Sequence, residues 1–330
     1  MSVSRRRFLS AVTAGGIASA AGLSVAQPRP RPALVAITLD LEMSAEYPRR
    51  GMTEWNYRKG DLDADTKRYA VRAAEVAKGL GGLVHFFALG QTLEQEDTGW
   101  LKALAAAGHP VGNHTYDHVN LLARTLDDVQ FRFRRAPWLV RGKTVAEVIE
   151  QNVETTTAAL KERCGIAPNG FRTPGGFATG LRERADLQRM LLRQGFTWVS
   201  SLYPPHPCGT PKVEPGADVY AAIVRAQAAA QPFAYPSGLV EVPMSPVSDV
   251  TAFRTHYWKL EWFLKAVRLA VEEAIRTGGC FDFLAHPSCL VVEDPTFEAV
   301  KLICGLVRDA GPRAALVGLD RFTDRAGKGP

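Results

Sequence analysis

The sequence predicts an α/β fold: one domain built as a distorted (β/α) barrel of seven to eight parallel strands. Three observations point there. Eight short apolar runs recur along the 330 residues. Segments with helical periodicity separate most of them, and such alternation indicates a parallel sheet or a β/α barrel. Residues able to do chemistry collect at the ends of the runs, the face on which such barrels build their sites. With 46% hydrophobic and 22% charged residues, the chain has the composition of an ordinary globular protein that can bury a core.

Taken in order, residues 1–26 stand apart. Ser4, Arg5 and Arg6 open a twin-arginine start followed by Phe8 and Leu9, a weakly apolar Ala/Gly-rich stretch, and small residues at Ser24 and Ala26. That is the layout of a Tat signal removed after Ala26, implying passage through the Tat machinery to a periplasmic or extracellular location. A membrane anchor is the other reading, but Gly15, Gly16, Ser19 and Gly22 make the run poorly apolar. Arg5, Arg6 and Arg7 supply half of the formal charge of +6, so the remainder gives no case for nucleic-acid binding. Prolines 28, 30 and 32 mark 27–33 as a linker, leaving 34–330 as the domain. The five cysteines form an odd set without a C-x-x-C pair, which argues against a disulfide framework.

The apolar runs are "ALVAITL" (33–39), "LVHFFAL" (83–89), "HPVGNH" (109–114), "NGFRTP" (169–174), "FTWVSS" (196–201), "LVEVP" (239–243), "FDFLAHP" (281–287) and "ALVGL" (315–319). Helical periodicity fills 62–79, 98–107, 144–163, 181–194, 258–277 and 295–310. Three segments break the alternation and read as loop insertions at 43–60, 124–143 and 203–236, the last with a short Ala-rich helix.

The strand ends gather an unusual set. "TLDLE" puts Asp40 and Glu42 on one face if the strand continues. His114 and His118 follow the third run, Arg172 the fourth, and His286 the seventh. Singly, each has a plain reading: a lone H-x-x-x-H pair is more often not a metal site, Asp40 could cap a turn, Arg172 could serve a structural ion pair, and His286 could be a core histidine. Their convergence at one mouth favours chemistry. Trp55, Tyr57, Trp138, Tyr203 and Tyr235 could stack on sugars, although packing is the commoner role.

From about residue 34 to 290 the chain resembles the polysaccharide deacetylases with a NodB-like domain (carbohydrate esterase family four). "GNHTYDH" resembles the family's H-[S/T]-x-x-H metal motif at His114, Thr115 and His118. "FRTPGG" is similar to R-x-P-x-G at Arg172, Pro174 and Gly176, and "LAHP" to the Leu-His motif at Leu284 and His286. The resemblance implies a divalent metal, zinc or else Co²⁺, Ni²⁺ or Fe²⁺, on His114, His118 and a carboxylate. It implies Asp40 as catalytic base with Glu42 as third ligand, the swapped assignment being the rival. Arg172 would orient Asp40, and His286 would be the acid. The implied partner is an acetylated glycan. Oligomeric state is not readable.

Two departures stand out. The family's usual adjacent aspartates are here Asp40-Leu41-Glu42. Val199 also occupies the place of an aspartate that tunes the catalytic histidine in relatives, so that acid is missing or comes from elsewhere, with Asp282 as one candidate. Two rival readings follow: a small-amide or cyclic-ureide hydrolase of the same fold, and a catalytically silent glycan-binding module.

Overall fold

The run at 33–39 becomes β1 (Ala33–Leu41), all but one of whose residues are buried, in a computed structural model that describes residues 31–328. A strand covered on both faces needs the near-continuous apolar sequence seen there. The export signal expected at 1–26 and most of the 27–33 linker lie outside the described residues.

Each of the eight apolar runs overlaps a strand: after β1, β2 (His85–Ala88), β3 (Val111–Asn113), β4 (Phe171–Phe177) and β5 (Trp198–Leu202). Two-residue β6 (Phe233–Ala234) precedes β7 (Val240–Glu241), and β8 (Cys280–Ala285), β9 (Ala314–Leu316) and two-residue β10 (Gly327–Lys328) complete the set. The sheet order is β10-β6-β7-β5-β4-β3-β2-β1-β8, with β9 also on β1. Every pairing is parallel except β6–β7. The distorted barrel is thus a curled half-barrel of mostly parallel strands in one domain, and among the described residues no pairing joins β8 to β10. The short strands β6 and β10 were not legible, because two residues carry no periodicity.

Helices Ala64–Gly79, Leu260–Thr277 and Glu298–Ala310 bury their apolar stripes in the larger core, which also holds side chains of β1 and β8. Asp63 caps the first of these by accepting from Thr66 N at 2.7 Å. A smaller core lies under helices Val145–Ala159 and Ala185–Arg193, the former opened by a Thr144–Glu147 capping box. The insertions are locally folded: a 3₁₀ turn at Glu54–Asn56, short helices at Leu126–Val129 and Phe131–Arg135, and the expected Ala-rich helix at Ala217–Ala229. All five cysteines are free. No described helix is long and apolar enough to cross a membrane.

Gly170 fixes the approach of β4. Its φ is +83°, and a Cβ there would lie 1.9 Å from the Trp198 ring. Gly170→Ala is therefore expected to cost about 3 kcal/mol through overpacking and backbone strain. Urea unfolding of the variant against wild type measures this.

Candidate metal centre and catalytic pocket

At the end of β1, Asp40 and Glu42 are 4% and 3% exposed, carboxylates taken out of water at the C-terminal edge of the sheet. Burial on that scale demands partners. Glu42 finds them in the loop after β3.

That loop is held by its own side chains. Asn113 Oδ1 accepts from Thr115 N at 2.8 Å, while its amide donates to Val153 O at 2.9 Å and Thr157 Oγ1 at 3.0 Å. Thr115 and His118 sit at φ +63° and +59°, a conformation L-residues adopt at a cost, and Thr115 Oγ1 accepts from Val119 N. The result places the rings of His114 and His118 5.3 Å apart, on a loop and not on a helix. His114 Nδ1 lies 3.0 Å from Arg172 O; donation there leaves Nε2 with its lone pair toward Glu42.

Glu42 Oε2 is 2.7 Å from His118 Nε2 and 3.4 Å from His114 Nε2, yet it accepts no well-aligned hydrogen bond. One atom from each of the three residues falls within a 4.8 Å group. Ligand atoms around a tetrahedral zinc stand about 3.3 Å apart, so the trio fits a small divalent cation. An unsatisfied buried carboxylate oxygen facing two imidazole nitrogens is what such an ion would resolve. Burial, which Glu42 opposes and Lys59 reinforces, pushes His118 down to about 4, leaving the neutral imidazole that ligation needs. Burial alone would raise Glu42, but His118 and Lys59 outweigh it and hold the carboxyl well below its usual range.

Lys59 was not anticipated. Its Nζ is 2.6 Å from Glu42 Oε1 and 3.3 Å from His118 Nε2, and it lies over the Trp55 ring. The 43–60 insertion was expected at the mouth, but nothing in its sequence singled out this lysine.

Asp40 takes a different partner. Arg172, with no exposure, donates from Nη1 to Asp40 Oδ1 at 3.1 Å and to Thr38 Oγ1 at 2.7 Å, and pairs through Nη2 with Asp282. Its guanidinium also lies 4.3 Å from the Phe87 ring centroid. Burial, opposed by Arg172, pushes Asp282 up to about 6. Arg172→Met would strand both carboxylates in the protein interior. The expected loss is about 3–5 kcal/mol of stability, read by chemical denaturation with folding checked by circular dichroism.

Asp282 is thus the partner of Arg172 and Thr38, and as a candidate for tuning His286 it is corrected. The carboxylate on His286 is instead Asp249: its Oδ1 lies 2.8 Å from His286 Nδ1 and its Oδ2 accepts from His286 N at 2.7 Å. Burial lowers His286, but Asp249, then Glu42 and Asp40, raise it to about 9. Val199 is buried in β5 opposite Phe171 and Glu241, so an apolar residue suits its place. Asp249 follows β7 by eight residues on an irregular segment ending in a π-helical turn, Val250–Thr255. The only signal was an acid a short way past a predicted strand end.

These groups open into one cavity of about 470 Å³. The insertions wall it: Trp55 and Lys59 from 43–60, Gln130 and Phe131 from 124–143, and Tyr203 from 203–236. Of the other aromatic candidates, Tyr57 packs edge-on against Phe131, Trp138 is exposed, and Tyr235 is buried with its hydroxyl on Glu241. His85 serves the scaffold, bridging Leu319 N and Asn169 O.

Residues 61–190 match the polysaccharide deacetylase family model, a span that includes His114, His118 and Arg172. Solved structures share the fold. A protein from Mycobacterium smegmatis assigned as a polysaccharide deacetylase is similar at 18% identity and TM-score 0.59, with 92% of each chain covered. One from Pseudomonas aeruginosa PAO1 with the same assignment gives 12% and 0.54, covering 88% of this chain and 91% of that one. Puue allantoinase gives 12% and 0.53, covering 88% and 89%. No curated protein sequence matches the chain.

Proposed function

We propose that this chain, which carries the polysaccharide deacetylase pattern over residues 61–190, is a metal-dependent hydrolase that removes acetyl groups from an N-acetylated, or O-acetylated, polysaccharide. The observation that carries the reading is the convergence of Glu42, His114 and His118 between an Arg172-held Asp40 and an Asp249-held His286. Glu42, His114 and His118 would hold the cation, zinc by the chemistry of two imidazoles and a carboxylate, with Co²⁺, Ni²⁺ or Fe²⁺ also suited. Bound there, the metal supplies Lewis acidity that polarises an acyl carbonyl and acidifies water.

The chain's own residues do the rest. Asp40, oriented by Arg172, accepts the proton of the attacking water. His286 is protonated below about pH 9 and donates to the leaving nitrogen or oxygen as the acyl bond breaks. Asp249 holds that imidazole in place and supports its positive charge. Asp40, Glu42 and His114 are themselves almost fully buried, which strengthens each of these interactions.

Residues 1–26 add the proposal of Tat export and action outside the cytoplasm, where glycan polymers are met. A second reading, hydrolysis of a small amide or cyclic ureide, is favoured by the modest size of the cavity, about 470 Å³. Acetate release from peptidoglycan, chitooligosaccharides and acetylated xylan, with added Zn²⁺ or with chelator, separates the readings. Metal-dependent acetate from any of them supports deacetylation. No acetate from a metal-loaded protein that opens a cyclic ureide supports the second reading, and neither metal nor acetate supports a silent glycan binder.

A further inference from the structure

Each of the cavity's charged side chains has an ionic partner, with one exception. Asp40 pairs with Arg172, Glu42 with Lys59, and His286 with Asp249. Arg254, on the π-helical turn Val250–Thr255, also lines the cavity, is half-buried, and pairs with no carboxylate among the described residues. A half-desolvated guanidinium facing a cavity is stabilised by an anion that binds there. The surroundings do not supply one. Three residues on, Tyr257 has Arg50 at 4.9 Å and Lys212 at 5.1 Å from its ring, so the segment that follows Arg254 also gathers positive charge.

We propose that Arg254 is an anion subsite of the catalytic cavity, and that the glycan acted on carries a carboxylate on or next to the acetylated sugar. This rests on the deacetylase reading above. One guanidinium balances one negative charge, and its planar fork matches the two oxygens of a carboxylate. The subsite would place a sugar acid beside Tyr203 and Thr251, which line the same wall, while the acetyl group lies at Glu42 and His286. The cations gathered at Tyr257 would favour approach of a polyanionic chain over a neutral one.

The test uses two probes that differ only in charge: a tetrasaccharide alternating N-acetylglucosamine with glucuronic acid, and its methyl ester. Acetate release gives kcat and KM for each with the zinc-loaded full chain, with Arg254→Gln and with Arg254→Lys, after zinc content and circular dichroism are matched. Wild type is expected to prefer the acid by about tenfold or more, mainly through KM, as one charge-assisted pair provides. Arg254→Gln should erase that preference, Arg254→Lys should keep part of it, and salt should weaken it in wild type. Should Arg254→Gln not fold, Arg254→Lys and the wild-type salt series decide. Equal use of acid and ester by wild type overturns the subsite, as does a preference that survives in Arg254→Gln. Zinc-loaded protein that releases acetate from neither probe, nor from the glycans named above, overturns the deacetylase reading and the subsite with it.

Discussion

Asp40→Asn is expected to bind zinc as wild type does and to lower kcat by roughly 10²–10⁴-fold, the usual weight of a general base. His114→Ala and His118→Ala are each expected to lose the metal and, with it, all measurable turnover. The difference follows from where the two carboxylates point. Glu42 groups with both imidazoles, whereas Asp40 spends one oxygen on Arg172, and its other oxygen lies 3.8 Å from His114 Nε2. Zinc content of the purified variants, measured beside acetate release, checks both statements. Loss of zinc from Asp40→Asn with retention in Glu42→Gln would exchange the two roles.

Asp249→Asn should produce the second largest effect, and it is one of pH. In wild type His286 is raised to about 9 because Asp249, helped by Glu42 and Asp40, outweighs burial. A neutral amide removes that support, burial then prevails, and the imidazole loses its proton at lower pH. The acid form is the active one, so the alkaline limb of the kcat profile should move down from about 9. At pH 8 the variant should be slower by about 10²-fold, within the range of a lost general acid, and its zinc content should be unchanged. An alkaline limb that stays in place would remove Asp249 from the mechanism. Asp282→Asn is the contrast: paired with Arg172 and not with His286, it should leave the limb where it is and reduce stability.

Much of this was legible in the sequence, for reasons that differ by residue. Strands were visible where both faces are buried, because β1 and β8 need unbroken apolar runs. His114 and His118 were visible because a short loop carries both imidazoles. Asp40, Glu42, Arg172 and His286 were visible because each sits at the end of such a run. Asp249 and Lys59 were not. They reach the pocket from irregular segments, where no period links sequence position to direction, and only the packing of 245–256 and 43–60 against the strand ends brings them in. Asp282 misled for a related reason: inside β8, alternation says which face a side chain takes but not which charge meets it there.

The proposed deacetylation requires a metal held by Glu42, His114 and His118. The direct measurement is a zinc titration of chelator-stripped full-length protein, followed by calorimetry and by acetate release at each addition. The expected result is one tight equivalent per chain, with acetate release rising in proportion to it and no tight binding in the His114→Ala, His118→Ala double variant. Acetate release that survives complete stripping, or a tight equivalent that persists without both histidines, would contradict it.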